Sequence, residues 1–214
     1  MTPDQRPAGR VVVLSGGSSA GKTTVGRKLQ ETLDGSWLLL GVDVLLWMLP
    51  PRLMRSEEGV AVKDGVISRG DEFMRIFEAF RDSIAAIVRS GVDVLIDDVM
   101  LEGAFDQRLW NDSLAGLETL WVGVRCNPDA AAAREAARGD RPPGIARRHA
   151  TTVHEGVRYD LEIDTDVLDI AHAVDLVADA IRRRWSIAGQ AASNDSPSRP
   201  VRSAWTAGSA PWES

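Results

Sequence analysis

The chain has 214 residues, a length that suits one domain with a single hydrophobic core. It carries 25 Lys and Arg against 31 Asp and Glu, and this net charge of −6 gives no electrostatic footprint for nucleic acid. One cysteine, Cys126, excludes an internal disulfide and is typical of a reducing cytoplasm, and no apolar run is long enough to span a bilayer. We therefore expect a cytoplasmic protein that binds neither nucleic acid nor a membrane.

Five short apolar runs are predicted to be strands of one sheet. Each is followed by a stretch of helical periodicity, and this alternation is typical of a parallel sheet with helices on both faces. A D-G turn at Asp64 and Gly65 predicts a separate small hairpin between residues 60–62 and 66–68. The five predicted strands of the sheet are residues 11–14, 36–42, 92–96, 119–124 and 161–163.

The helices predicted between these strands carry apolar residues at helical spacing. One domain is therefore assigned to residues 10–185, after a flexible leader at residues 1–9. Residues 186–214 are rich in Ser, Ala, Gly and Pro without periodicity, and they are predicted to be a disordered tail. The predicted helices are residues 24–33, 71–89, 103–114, 128–138, 145–153 and 167–185, with a helical turn or two at 44–49.

The segment at residues 16–23, here called the P-loop, fits the pattern G-x-x-x-x-G-K-[ST] between a predicted strand and a predicted helix. Its glycines let backbone N–H groups converge on phosphate oxygens, and the helix adds the positive end of its dipole. Lys22 supplies charge to the β- and γ-phosphates, and Thr23 supplies a hydroxyl for Mg²⁺. The alternative is a Gly-rich turn with an incidental lysine. The predicted site for ATP or GTP with Mg²⁺ comprises Gly16, Gly17, Ser18, Ser19, Ala20, Gly21, Lys22, Thr23 and Thr24.

Three aspartates follow predicted strands, and ligands of open α/β sheets bind beyond the carboxyl ends of strands. Asp97 or Asp98 is predicted to hold the metal. Since side chains alternate along a strand, the two can point apart, so that one serves Mg²⁺ and the other the acceptor. Asp43 is a candidate base for an acceptor hydroxyl, or else the N-cap of the turn that follows it. The residues alone do not choose between these two roles.

Arginines are concentrated around residues 139–144, where a lid over the nucleotide is expected. Planar guanidinium groups suit phosphate oxygens, so Arg138 and Arg141 are predicted to neutralise charge during phosphoryl transfer. Arg134 lies one helical turn before Arg138 on the same face. Trp47 follows Asp43 closely, where an apolar acceptor can rest.

These motifs together resemble the chloramphenicol phosphotransferase family, whose members are P-loop kinases of the nucleotide-monophosphate-kinase type. The resemblance covers residues 10–181 and implies a three-layer P-loop NTPase fold with a five-stranded parallel sheet. It implies transfer of the nucleotide γ-phosphate to a hydroxyl of chloramphenicol or a similar antibiotic, a resistance or self-protection reaction, with Asp43 as the base. The matching segments are LSGGSSAGKT at 14–23, GVD at 41–43, IDDV at 96–99, LWVGVRC at 120–126, REAARGDR at 134–141 and VHEGVRYDLEIDT at 153–165.

Two other functions remain open at this point. One is a kinase of another hydroxylated metabolite or nucleoside antibiotic, and the other is a regulatory NTPase that hydrolyses slowly and signals to a partner. Dependence of nucleotide consumption on an acceptor distinguishes a kinase from such a switch. The expected partner is a small hydroxylated molecule, and a homo-oligomer is left open.

Overall fold

A computed structural model describes residues 7–63, 65–139 and 144–192, with side chains described up to Ser186. The predicted positions 1–6, Asp64, Arg141 and 193–214 lie outside the described residues. The strands are β1 (Val11–Gly16), β2 (Trp37–Gly41), β3 (Val60–Lys63), β4 (Val66–Arg69), β5 (Asp93–Asp98), β6 (Thr119–Arg125) and β7 (Leu161–Asp164).

Five of these strands form one parallel sheet in the order β2-β5-β1-β6-β7, with β1 at its centre. β3 and β4 form a separate antiparallel pair in which Val60 faces Arg69 and Val62 faces Ile67, so the predicted hairpin is confirmed. Helices cover both faces of the sheet, and the predicted three-layer α/β fold is therefore confirmed. The helices are α1 (Lys22–Thr32), α2 (Val42–Met48), α3 (Asp71–Arg89), α4 (Ala104–Ser113), α5 (Pro128–Arg138), α6 (Ile145–Thr152) and α7 (Ile170–Ala192).

Several boundaries differ from the predicted ones in ways that matter for the site. α1 begins at Lys22 rather than at Thr24, so the last residues of the P-loop motif form the first helical turn. β2 ends at Gly41 and α2 begins at once, which places Asp43 inside a helix. β5 continues through Asp98 instead of ending at Ile96. α7 continues to Ala192, past the predicted end at residue 185.

Alternation along the central strands divides the core between the two faces of the sheet. Val12 and Leu14 pack with residues of α1 and α7, whereas Val11 and Val13 pack with residues of α3 and α4. β5 follows the same rule, with Leu95 in the first layer and Ile96 in the second. Burial of each such side chain contributes roughly 1.5–3 kcal/mol to folding. None of the described helices is long and apolar enough to cross a membrane.

Candidate active site

The P-loop connects β1 to α1 at the carboxyl edge of the sheet. Gly21 caps α1 with φ of 93°, a left-handed conformation that strains any residue with a Cβ. Lys22 is 7% exposed, and its Nζ donates a hydrogen bond to the carbonyl oxygen of Gly17 at 2.8 Å. This hydrogen bond links the two ends of the P-loop beside the N-terminus of α1. Backbone N–H groups and the dipole of a helix N-terminus favour binding of a phosphate group.

Asp97 lies beside the P-loop because β5 is paired with β1 on one side and β2 on the other. The register aligns Asp97 with Leu14 of β1 and with Gly41 of β2. The Thr23 hydroxyl donates to Asp97 Oδ2 at 2.5 Å, and Lys22 Nζ lies 3.6 Å from Asp97 Oδ1. A hydroxyl and a carboxylate that converge in this way are the kind of oxygen ligands that Mg²⁺ prefers.

Asp98 points to the opposite face of β5, into the layer of α3 and α4. It is buried and accepts hydrogen bonds from Trp110 Nε1 at 2.7 Å and from the Val99 N–H at 2.7 Å. Burial, with a smaller effect from the charges of Asp106 and Asp97, raises the pKa of Asp98 to about 7. The structure therefore brings Asp97, but not Asp98, to the hydroxyl of Thr23.

One cavity of about 520 Å³ connects the P-loop to an apolar wall on the other side of Asp97. The α2 helix, the β3–β4 hairpin and α3 contribute this wall, which we call the acceptor wall. Its side chains are hydrocarbon and aromatic, so water is expelled from them when an apolar molecule binds. The acceptor wall comprises Val42, Leu46, Met54, Val60, Val62, Ile67, Phe73, Phe77 and Leu101.

Asp43, in the first turn of α2, lines the same cavity as the P-loop and the acceptor wall. Its side chain also borders a neighbouring cavity of about 300 Å³, which is lined by Thr23, Asp97 and Trp47 among others. Trp47 is 87% exposed, so a large aromatic surface stands beside the carboxylate. Asp43 therefore lines both cavities, together with Thr23 and Asp97.

The predicted lid arginines have different surroundings. The Arg134 guanidinium donates to Thr165 Oγ1 at 3.0 Å and to Asp166 Oδ1 at 2.8 Å, while the Thr165 hydroxyl donates to the Ala20 carbonyl at 3.0 Å. Arg134 therefore ties α5 to the P-loop through Thr165. Arg138 is exposed and lines the main cavity at the end of α5.

The helices α5 and α6 are held together by a buried carboxylate. Glu135 of α5 is 4% exposed, and it accepts hydrogen bonds from the N–H groups of Gly144 at 2.7 Å and Ala146 at 2.8 Å. It thereby satisfies backbone donors at the start of α6 that have no partner within that helix. On the surface, Arg147 and Asp129 form a second link between α6 and α5 at 2.5 Å.

Two polar residues that border the cavity, His149 and Arg69, are not among the predicted site residues. His149 of α6 packs on the P-loop so closely that a Cβ added at Gly17 would lie 3.2 Å from the Cβ of His149. Arg69 ends β4 and lines the cavity beside the acceptor wall. Neither residue belongs to a sequence motif. In the sequence alone, a single histidine in a helix and a single arginine in a hairpin look like ordinary surface residues, and only the tertiary structure brings them to the cavity.

Comparison with known proteins gives matches along most of the chain. The family model described as chloramphenicol phosphotransferase-like protein matches residues 9–186. A Mycobacterium tuberculosis protein named "Putative O-phosphotransferase" is 32% identical over an alignment of 176 residues, and the match covers 74% of this chain and 76% of that protein.

Solved structures with the same fold are kinases and a resistance protein. The Deinococcus radiodurans tunicamycin resistance protein matches with a TM-score of 0.59 and 16% identity, over 81% of this chain and 95% of that one. The Mycobacterium tuberculosis APS kinase in complex with AMPPNP and APS matches with a TM-score of 0.54 and 19% identity, over 82% of this chain and 99% of that one. At these identities the likeness shows a shared fold.

Proposed function

Because the chain belongs to the chloramphenicol phosphotransferase-like family, as its motifs predicted, we propose that it moves the γ-phosphoryl group of ATP to a hydroxyl of chloramphenicol or a similar antibiotic. The chain is a phosphotransferase with a hydroxyl acceptor. The observation that carries the proposal of an antibiotic acceptor is the cavity that the P-loop, Asp43 and an apolar wall line together. Such a reaction inactivates the drug in the cytoplasm, where ATP is available.

The P-loop and the start of α1 hold the triphosphate in this proposal. Backbone N–H groups and Lys22 bind its phosphate oxygens, and Thr24 borders the same space. Thr23 and Asp97 hold Mg²⁺, which neutralises charge on the phosphates when it is bound. Arg134 fixes the position of α5, and Arg138, together with Arg141, stabilises the negative charge that spreads over the transferred group.

The acceptor lies against the acceptor wall with one hydroxyl beside Asp43. The hydroxyl oxygen forms a bond to the γ-phosphorus while the bond from that phosphorus to the bridging oxygen of ADP breaks. Asp43 accepts the proton that the hydroxyl loses and holds its oxygen in line. The apolar wall excludes water, which would otherwise compete for the phosphoryl group.

The test is a nucleotide-consumption assay with ATP and Mg²⁺, with and without chloramphenicol, in which the product is identified by its mass. We expect a phosphorylated drug, and ATP consumption that depends on the drug. Consumption without any acceptor would indicate a regulatory NTPase instead. Consumption that needs a different hydroxylated compound would retain the phosphotransferase and replace the acceptor.

Substitutions separate the proposed roles. Asp43→Asn should lower transfer by about a hundredfold or more while the nucleotide affinity is retained, because proton acceptance and positioning are lost together. Lys22→Ala should lose both nucleotide binding and transfer. Asp179→Asn, which removes an exposed carboxylate of α7 that does not line the cavity, serves as the matched control and should behave as wild type. Wild-type turnover by Asp43→Asn would contradict its role as the base.

A further inference from the structure

Arg69 is the basic side chain of the acceptor end of the cavity, among the lining residues that the structure describes. Lys22, Arg134 and Arg138 also line the cavity, but they belong to the P-loop and to α5, at its nucleotide end. Arg69 stands opposite Val60 in the hairpin and borders the same space as Phe73. A buried cation in an apolar wall is costly unless it is compensated, so its partners need to be accounted for.

Carboxylates more than compensate the charge of Arg69. Its side chain is 7% exposed, and its Nη2 donates to Glu102 Oε1 at 2.6 Å and lies 3.0 Å from Asp106 Oδ1. Burial lowers the pKa of Arg69, but Asp106 and Glu102 raise it by more, so the guanidinium stays charged. The charge of Arg81 also acts on Asp106 and on Asp98, so this group of side chains carries little net charge. Because the charge of Arg69 is already balanced, little of it is left to attract an anionic acceptor.

Hydrogen-bond donors of Arg69 remain available to a ligand. A guanidinium has five N–H donors, and both carboxylates engage Arg69 through Nη2 alone. Within the described part of the chain, Nε and Nη1 make no hydrogen bond with another residue. Donors at a cavity surface that protein groups leave unused are satisfied by oxygens of water or of a bound molecule.

We propose that Arg69 is a specificity residue that donates hydrogen bonds to an oxygen of an uncharged acceptor, of the nitro, carbonyl or amide kind. The inference rests on the proposed function, since it describes the acceptor end of the same cavity. The apolar wall binds the body of the acceptor, and Asp43 binds its reactive hydroxyl. Arg69 donates hydrogen bonds to an uncharged oxygen at another position of the acceptor. The flanking carboxylates make the site select against a carboxylate or phosphate at that position.

The experiment uses three chloramphenicol analogues that differ only in the ring substituent, which is a nitro, an amino or a carboxylate group. Each is measured by calorimetric binding to the full chain with a non-hydrolysable ATP analogue, and by the KM and kcat of transfer. Wild type should bind the nitro compound best and the carboxylate worst. Arg69→Lys, which keeps a charge for Asp106 but loses the planar fork, should weaken the nitro compound by about tenfold, because a hydrogen bond from a charged donor is lost.

Further variants separate recognition from folding. Arg69→Met should weaken the nitro compound at least as much as Arg69→Lys does, with little effect on the amino compound, and its fold is checked by circular dichroism. Glu102→Gln should improve binding of the carboxylate compound relative to wild type, since one repelling charge is gone. Arg75→Met removes an exposed arginine of α3 that pairs with Glu72, and it should match wild type throughout.

The binding measurements test the role of Arg69 whether or not the compound is phosphorylated. Equal losses for all three compounds in Arg69→Lys would mean that Arg69 only shapes the wall, and this would overturn the inference. A wild type that prefers the carboxylate compound, or that binds none of the three, would overturn it as well. If wild type binds the nitro compound in an Arg69-dependent way without phosphorylating it, the inference stands and the proposed function fails.

Discussion

Thr23 Oγ1 and Asp97 Oδ2 are 2.5 Å apart, although the two residues are separated by 74 positions in the chain. The contact joins the first turn of α1 to the end of β5. It arises because β5 pairs directly with β1, whose carboxyl end continues into the P-loop. Two oxygens that meet beside Lys22 define one corner of the site.

Asp97→Asn should weaken the dependence on Mg²⁺ without disrupting the fold. The amide keeps the shape of the carboxylate and can accept from Thr23, but it carries no charge for a cation. Because groups that hold and orient metal ligands typically contribute 10- to 100-fold in metal affinity, we expect the Mg²⁺ concentration for half-maximal transfer to rise by about tenfold or more. The measurement is a Mg²⁺ titration of the transfer rate at fixed ATP.

The control for Asp97→Asn is Asp93→Asn on the same strand. Asp93 lies at the opposite end of β5 and pairs with Arg10, so its loss should lower stability while the Mg²⁺ titration remains that of wild type. Superimposable titrations for Asp97→Asn and wild type would contradict the proposed metal site.

Glu135→Gln should weaken the packing of α6 against α5. The glutamine amide has one oxygen where the carboxylate has two, so it can accept from only one of the N–H groups of Gly144 and Ala146. Its NH₂ group would face the other N–H. That buried donor loses its partner, at a cost of about 1–3 kcal/mol. We expect faster hydrogen exchange at the start of α6 and roughly tenfold slower transfer, because α5 and α6 contribute Arg138 and His149 to the cavity.

The matched control breaks the other link between the same helices. Asp129→Asn removes the exposed ion pair with Arg147 and should change stability by under about 0.5 kcal/mol, since such surface pairs contribute little. If Glu135→Gln changes hydrogen exchange and the transfer rate as little as Asp129→Asn does, the buried carboxylate does not position α5 and α6.

Local patterns were enough to predict most of the scaffold. The bounds of α3 and α5 agree with the predicted 71–89 and 128–138, because apolar periodicity, the proline at Pro128 and the glycine at Gly91 mark them within the sequence itself. The P-loop motif likewise predicts its own strand and helix. These features depend on neighbours in the chain, which a single sequence displays.

Features that depend on distant packing were not predicted. The choice between Asp97 and Asp98 depends on which face of β5 packs against α1, and only the placement of Leu95 in that layer decides it. Arg69 has a role only because α4 brings Asp106 to it from 37 positions further along the chain. Predicted residues outside the described ranges, such as Arg141, stay predictions.

Asp98→Asn should change how stability depends on pH. The pKa of Asp98 is about 7 in the folded protein, against an ordinary value of 3.8, so between these values the folded state holds a proton that the unfolded state has lost. The contribution of Asp98 is therefore complete below about pH 4 and lost as the pH rises towards 7, by on the order of 3 kcal/mol. Asparagine accepts from Trp110 but does not titrate.

Urea unfolding of both proteins between about pH 4 and pH 8 measures this effect. The free energy of unfolding of wild type, minus that of Asp98→Asn, should fall as the pH rises through that window. A difference that is constant with pH would show that Asp98 is ionised throughout, with its charge balanced by a neighbour such as Arg81.

His154→Asn should have the opposite pH dependence. Burial, with a smaller effect from the charge of Arg125, lowers the pKa of His154 to about 4. Between pH 4 and its ordinary value of 6.5, therefore, only the unfolded state binds the proton. The contribution of His154 is complete above 6.5 and lost as the pH falls to 4, by about 1 to 2 kcal/mol once partial solvent screening is allowed for. Asparagine can keep the hydrogen bond that joins His154 Nδ1 to the Tyr159 hydroxyl at 2.7 Å.

In wild type, the opposite pH dependences of the Asp98 and His154 contributions to stability should partly cancel. Each variant removes one contribution and should show the pH dependence of the other. His154→Asn leaves Asp98 alone, so its stability should fall between about pH 4 and pH 7 more steeply than that of wild type. Asp98→Asn leaves His154 alone, so its stability should rise up to about pH 6.5. Parallel pH profiles for the two variants would contradict both assignments, because a shared slope must come from groups that neither substitution removes.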